Sequence, residues 1–229
     1  MAVILSLETS TPICSIAVHQ NGALLGEKSL DVPGAHSEKL MGMIETLLYE
    51  CKLTIGQIHA VAVSEGPGSY TGLRIGVSVA KGLAFARDIP LIAISTLKAL
   101  SFGAISQMPD TRLIIAMLDA RRMEVYREVF DHDLNSLWKL ESEIIDEVSF
   151  SDLLDRGKVH FVGDAVEKVS KVIEHPNAVF LDLKISADYV GVLAYKKYQR
   201  GELADLAYFV PNYLKEFKAL QSKKNPLLI

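Results

Sequence analysis

Long apolar runs are missing from this sequence: no stretch approaches the roughly 20 uncharged residues that span a bilayer, and a soluble chain with no membrane partner is expected. The N-terminal MAVILSLETS has neither the basic start nor the small-residue cleavage site of an export signal, so a cytoplasmic location is expected. Cysteine is scarce. Only Cys14 and Cys51 occur in 229 residues, which argues against a disulfide scaffold or a four-ligand zinc site. An excess of basic charge is also lacking. The formal charge of -4 argues against a broad surface that neutralises many phosphates unaided. The one local basic cluster, Lys215, Lys218, Lys223 and Lys224, reads as a solvated tail. The six histidines fall at no ligand spacing; four residues after His36, where a helical metal site would place its second histidine, stands Leu40.

What is present is a well-patterned globular chain, 49% hydrophobic and long enough for one large or two small cores. Short apolar runs at 3–7, 15–19 and 23–30, with Asn21-Gly22 as a two-residue turn, open the chain as an antiparallel meander. Leu40, Met43, Ile44, Leu47, Leu48 and Cys51 recur at helical spacing from about His36. A buried strand at 60–64, a helix to about Arg87, a strand at 91–94 and a helix from Thr96 capped by Ser95 follow. The order β-β-β-α-β-α-β-α is an α/β layout. The turn Ser106–Asp110 is the candidate hinge, dividing the chain into 1–107 and 108–229. Beyond it, strands are expected at 112–118, 124–130, 143–146 and 159–162, with helices at 149–155, 164–174 and 186–200. Both halves open with strands and then alternate with helices, as a duplicated fold would.

The sharpest local feature is GPGSYTGLR at 66–74, between a buried strand and a helix. Two readings stand side by side. Ser69, Thr71 and Arg74 could hold an anion or nucleotide at the helix N-terminus, or the segment is a capped tight turn with a solvent-facing arginine. The spacing matches neither common phosphate-loop pattern. Within the same helix, Gly72, Gly76, Ala80 and Ala84 form a ridge of tiny side chains. Helix-interior glycine costs about 0.5–1 kcal/mol relative to alanine, so a close neighbour is expected, either within the chain or on a partner. The earlier helix, with His36, Leu40, Met43, Ile44 and Leu47, extends its apolar surface to Met41 and Leu48, Met41, Gly42 and Met43 together suit an adaptable helix-helix contact, and the two helices are expected to share a protein-protein surface. In DARRMEVY at 119–126, Arg121 and Arg122 are placed to pair with Asp119 or Glu124 across a hairpin.

LETST, HSEKL at 36–40, GPGSYTGLRIGVSVAKGLA at 66–84, STLKAL at 95–100, DARRMEVY at 119–126 and, further on, PNYL at 211–214 together resemble the TsaB (YeaZ) family. The resemblance covers roughly the first 130 residues in order. It implies an actin-like ATPase fold (sugar kinase/Hsp70-like, RNase H-like) in two related domains, 1–107 and 108–229. It further implies a homodimer alone and a heterodimer with the catalytic paralogue TsaD, docked through the helices starting at His36 and Thr71. A small ATPase, TsaE, joins them, tRNA is reached through the complex, and ATP and a metal ion are expected there. No cofactor, metal or catalytic residue is expected of this chain alone. Its own residues point the same way, because an ATPase of this fold needs magnesium-positioning carboxylates and glycine-lined hairpins. Leu7–Pro12 contains no glycine and carries its carboxylate on the longer Glu8, and Asp119–Arg121 lacks glycine as well. Rival classes are an active small-molecule kinase of this fold, a glycoprotease-like peptidase, and a homodimeric module with an unrelated partner.

Overall fold

A computed structural model describes residues 1–32, 34 and 36–214. The four C-terminal lysines singled out above lie outside the described residues. Strands β1 (Val3–Glu8), β2 (Cys14–Gln20) and β3 (Ala23–Leu30) form the meander. Helix α1 (His36–Glu50), β4 (Ala60–Gly66), α2 (Tyr70–Arg87), β5 (Leu91–Ser95) and α3 (Thr96–Gln107) complete the first half. The sheet order is β3-β2-β1-β4-β5, antiparallel across β1, β2 and β3 and parallel across β1, β4 and β5.

The second half repeats this plan. Its strands are β6 (Leu113–Asp119), β7 (Glu124–Asp131), β8 (Ser136–Ile144), β9 (Val159–Val162) and β10 (Ala178–Leu181). Short helices α4 (Ser151–Leu154) and α5 (Val166–Val169) precede the long α6 (Ala187–Arg200). The order β10-β9-β6-β7-β8 has the same pattern of parallel and antiparallel neighbours as the first sheet. Two strands depart from the expectation: β8 begins well before 143, and β10 was not foreseen. The expected helix at 164–174 shrinks to α5. Among the described residues no helix is long and apolar enough to cross a membrane.

The central strands are buried on both faces and therefore read as continuous apolar runs. In β4, Val61 and Val63 face α1 and α2, while Ala60 and Ala62 face the interior between the two sheets. That interior holds α3 and α6 with Ile4, Ile92, Leu97, Leu100, Ile114, Phe130 and Val190 in one shared core. Helix α6 packs on β1 and β2, and α3 packs on β6, so each half lends a helix to the other's sheet. The expected boundary falls between α3 and β6, and beyond it Ile115, Val129, Phe161 and Ile173 belong to a second core built from residues after 107 alone. The His19 imidazole, fully buried, meets Asp188 of α6 at 2.9 Å. Gly191 lets that helix approach, since a Cβ there would press on the His19 ring.

Strand β8 lies at a sheet edge, and its side chains are mostly exposed. Arg127 of β7 holds it: the guanidinium, 7% exposed, bonds Glu143, Glu141 and the Lys139 carbonyl, and lies 5.4 Å from the Trp138 ring centroid. Glu141 is well exposed and solvent-screened, so the weight falls on Glu143, the carbonyl and the ring. Arg127→Met is expected to cost about 1–3 kcal/mol in urea unfolding, since it strands those partners. An unchanged midpoint would show that β8 holds its register without Arg127.

Candidate functional site

In each half, the turn after the first strand meets the chain leaving the fourth. The first such turn, Glu8–Thr11, is buried throughout. Ser10 N donates to Glu8 Oε1 at 2.6 Å, and the Ser64 hydroxyl donates to Glu8 Oε2. Ser69 N donates to the Ser10 carbonyl at 2.6 Å, and Thr9 Oγ1 donates to the Gly72 carbonyl at 2.8 Å. His36, the first residue of α1, is itself buried and lies with Nε2 3.1 Å from the Thr11 carbonyl. Burial pushes the Glu8 carboxyl above its ordinary 4.5, with the Ser10 and Ser64 hydrogen bonds partly opposing it. A carboxylate sealed in this way, both oxygens already bonded, does not fit a magnesium-positioning role.

The start of α2 is pressed directly on this turn. A Cβ on Gly72 would come less than 3.0 Å from the Thr9 carbonyl oxygen, and one on Gly76 would run into the Thr9 hydroxyl. Ala80 and Ala84, each 0% exposed, continue the same inward ridge onto the sheet. Of the two covers the sequence leaves open for Gly72, Gly76, Ala80 and Ala84, the chain's own packing is the one the structure provides, so these four are not free to meet a partner. His36, Leu40, Ile44 and Leu47 are buried likewise, and Met43 is half-buried against the same core. Of the two readings of the turn at 66–74, the contacts describe the capped one. The Ser69 hydroxyl accepts from Gly72 N at 3.2 Å as a helix cap. Arg74 stacks 4.1 Å from the Tyr70 centroid and donates through Nε to Tyr213 Oη at 3.2 Å. Thr71 is exposed beside them. These contacts pin the segment ending at Tyr213, helped by Asn212 N on the Glu65 carbonyl (2.7 Å) and Lys81 on the Phe209 carbonyl (2.9 Å).

The second turn is closed by other means. Asp119 N donates to Asp164 Oδ1 at 2.8 Å, and Arg121 N donates to Asp119 Oδ1 at 2.8 Å. Lys168 of α5 pairs with Asp119 and donates to the Arg122 and Glu124 carbonyls at 2.9 and 2.7 Å. The ion pair expected between Asp119 and Arg121 or Arg122 is thus made by Lys168, which no local spacing pointed to. Among the described residues no group of three or more His, Cys, Asp or Glu is placed to hold a metal ion.

What α1 and α2 leave outward is a different set. Met41 is 45%, Tyr49 83% and Phe85 79% exposed. On the same two helices, Gly42 and Gly82 face open space, where an added Cβ would meet nothing within 4 Å. The two helices are neighbours on one face of the sheet, so these residues belong to one outer layer. Met41 and Gly42 stand out in the sequence; Tyr49, Phe85 and Gly82 lie off the buried period and give no signal.

Comparison with known proteins agrees with this picture of the fold. The family model described as TsaD, tRNA N6-adenosine threonylcarbamoyltransferase, matches residues 31–222. The tRNA threonylcarbamoyladenosine biosynthesis protein TsaB of Bacillus subtilis is 31% identical, over 96% of this chain and 99% of that protein. The Escherichia coli TsaB is 36% identical over 59% of this chain. The match spans only 58% of the E. coli protein and 51% of the Haemophilus influenzae TsaB. A Pseudomonas aeruginosa structure, described as similar to the peptidase YeaZ, superposes with a TM-score of 0.84 at 28% identity, covering 94% of this chain and all of that one. The ADPNP-bound activator of a Clostridium difficile 2-hydroxyisocaproyl-CoA dehydratase shares the fold alone, at TM-score 0.54 and 13% identity over 87% of this chain and 97% of that one. The two five-stranded sheets, built to one plan around shared helices, are an actin-like ATPase fold, and the chain belongs to the TsaB (YeaZ) family of threonylcarbamoyladenosine biosynthesis proteins.

Proposed function

We propose that this chain is the non-catalytic activating subunit of the system that places threonylcarbamoyl groups on tRNA adenosine, and that it binds and stabilises a TsaD-like catalytic subunit through the outer surface of α1 and α2. The observation that carries this reading is the pair Gly42 and Gly82. Glycine inside a helix costs about 0.5–1 kcal/mol relative to alanine, and here the chain's own packing asks for no such residue. A partner helix pressed between Met41, Tyr49 and Phe85 would ask for both. The same face would serve a homodimer when the catalytic subunit is absent. ATP, a metal ion and a TsaE-like ATPase belong to the assembled complex, which reaches tRNA in the cytoplasm through its other members.

Activation on this reading is thermodynamic. Contact with the outer layer favours the partner conformation competent for nucleotide and tRNA, and only a difference in affinity between partner states can do this. A small-molecule kinase of the same fold is disfavoured by the sealed Glu8 carboxyl and by the start of α2 pressed on the first turn. A serine peptidase is disfavoured because the Ser69 hydroxyl is engaged as a helix cap.

The test is reconstitution of tRNA modification with the catalytic subunit, the ATPase and the activated intermediate, with and without this chain. Modified nucleoside is expected only with it. Gly82→Trp is expected to abolish both the complex and the modification while leaving the melting temperature within the range of the parent. Modification that proceeds equally well without the chain, or a Gly82→Trp variant that still assembles, would overturn the proposal.

A further inference from the structure

Across the outer face of the first sheet the order is α1, then α2, then the chain that returns from α6. Helix α1 packs on β2 and β3, and α2 on β4, β1 and β5, while Ala204 pairs with Leu91 at the otherwise open edge of β5. Residues 202–213 therefore run along the side of α2 that α1 leaves uncovered. Leu206 and Phe209 turn inward against the core beneath the two helices. Tyr208 and Val210 turn outward, 84% and 69% exposed.

The backbone around Tyr208 is fixed from both sides. Asp205 Oδ1 accepts from Ala207 N at 2.9 Å and from Tyr208 N at 3.0 Å, and Phe209 N donates to the Asp205 carbonyl at 2.8 Å. Lys81 of α2 reaches across to the Ala207 and Phe209 carbonyls, the two that flank Tyr208, at 3.2 and 2.9 Å. Further along, Asn212 on Glu65 and Tyr213 on Arg74 tie down the end of the segment. An exposed tyrosine on a fixed backbone loses little freedom when a partner covers it, and rigid aromatic side chains of this kind dominate the energy of interfaces.

The size of the α1–α2 surface points to the same segment. Nine residues of α1 and seven of α2 are exposed. A stable interface takes roughly 20–30 residues from each side, so the two helices fall short and the contact has to extend beyond one of them. On the far side of α1, Lys28 of β3 pairs with Glu50 at 2.8 Å and forms a polar rim. On the far side of α2 stand Tyr208 and Val210, with Phe85 one turn beyond Lys81. We propose that residues 202–213 are the third wall of the docking surface, and that the partner seated on α1 and α2 also covers Tyr208 and Val210 with an apolar patch of its own. The inference rests on the α1–α2 reading and adds to it a contact from the chain that leaves α6, so the partner grips both halves of the molecule.

Calorimetric titration of the TsaD-like catalytic subunit with the full chain and with its double variant Tyr208→Ser, Val210→Ser tests it. The double variant is expected to bind about tenfold to a hundredfold more weakly. Tyr208→Ser alone should carry most of the loss, since the ring supplies most of the apolar area. Both positions are exposed, so the fold is retained. An unchanged melting temperature and unchanged hydrogen exchange at the Ala207 and Phe209 amides check that the segment stays seated. A parent chain that does not bind the subunit would overturn the α1–α2 reading and this inference with it. A parent that binds, loses binding on Gly82→Trp, and is matched in affinity by the double variant would overturn the third wall alone.

Discussion

Gly72→Ala is expected to lower the unfolding free energy by about 3 kcal/mol or more, while Gly82→Ala in the same helix raises it by about 0.5–1 kcal/mol. Alanine outranks glycine in any helix interior by propensity alone, so the sign of each substitution reports what the new methyl meets. At Gly72 it meets the Thr9 carbonyl oxygen. That oxygen cannot move aside, because the turn carrying it is tied by Ser10 to Glu8 and by Ser69 to Ser10. At Gly76 the obstacle is the Thr9 hydroxyl, which can rotate but would give up its bond to the Gly72 carbonyl. Gly76→Ala should therefore fall between. At Gly42 and Gly82 the methyl enters open space, and propensity wins. Urea unfolding of the four variants at two protein concentrations separates folding from association. Four effects of one sign would show that the two pairs of glycines do not differ as the packing requires.

The same comparison explains how much of the molecule could be read from its sequence. Spacing identified the buried ridge of α1 through Leu40, Ile44 and Leu47, and that of α2 through Gly72, Gly76, Ala80 and Ala84. Periodicity says that a ridge is covered, not by what. The cover for Gly72 is Thr9, which lies 63 residues away in sequence, and no local pattern carries that pairing. Periodicity therefore marks the inward side of both helices and leaves the outward side unread. The outward residues Tyr49 and Phe85 break the period and so looked incidental. Strand β8 escaped because its exposed side chains show no apolar alternation; its pairing with β7 and the Arg127 contacts make it a strand. Strand β10 is short and half-buried, at the opposite edge. By contrast β1, β4 and β5, buried on both faces, announced themselves as apolar runs, and the cap at Ser95 was legible as a serine preceding a helix.

Glu8→Ala is expected to cost about 3 kcal/mol, because it leaves Ser10 N and the Ser64 hydroxyl buried without their acceptor and opens a cavity between them. Glu8→Gln should differ in kind. The amide keeps an oxygen for Ser10 N and supplies an N–H for the Ser64 hydroxyl, and it carries no charge to desolvate. Burial raises the Glu8 carboxyl above 4.5, so the folded chain holds its proton more tightly than the unfolded chain does. That contribution to stability is complete below 4.5 and is lost as the pH rises through the folded value. Relative to the glutamine variant, the parent should therefore be most stable in acid and lose ground steadily towards pH 8. Taking the difference between the two chains cancels the titration of every other group. A parent that instead gains on the glutamine variant as the pH rises would mean that the Ser10 and Ser64 bonds outweigh burial and that the carboxylate is held ionised. The functional corollary is sharper. A carboxylate that positions a metal does not survive exchange for an amide, whereas one that only locks a turn does, so Glu8→Gln is expected to support threonylcarbamoyl transfer in the reconstituted system at the parent's rate.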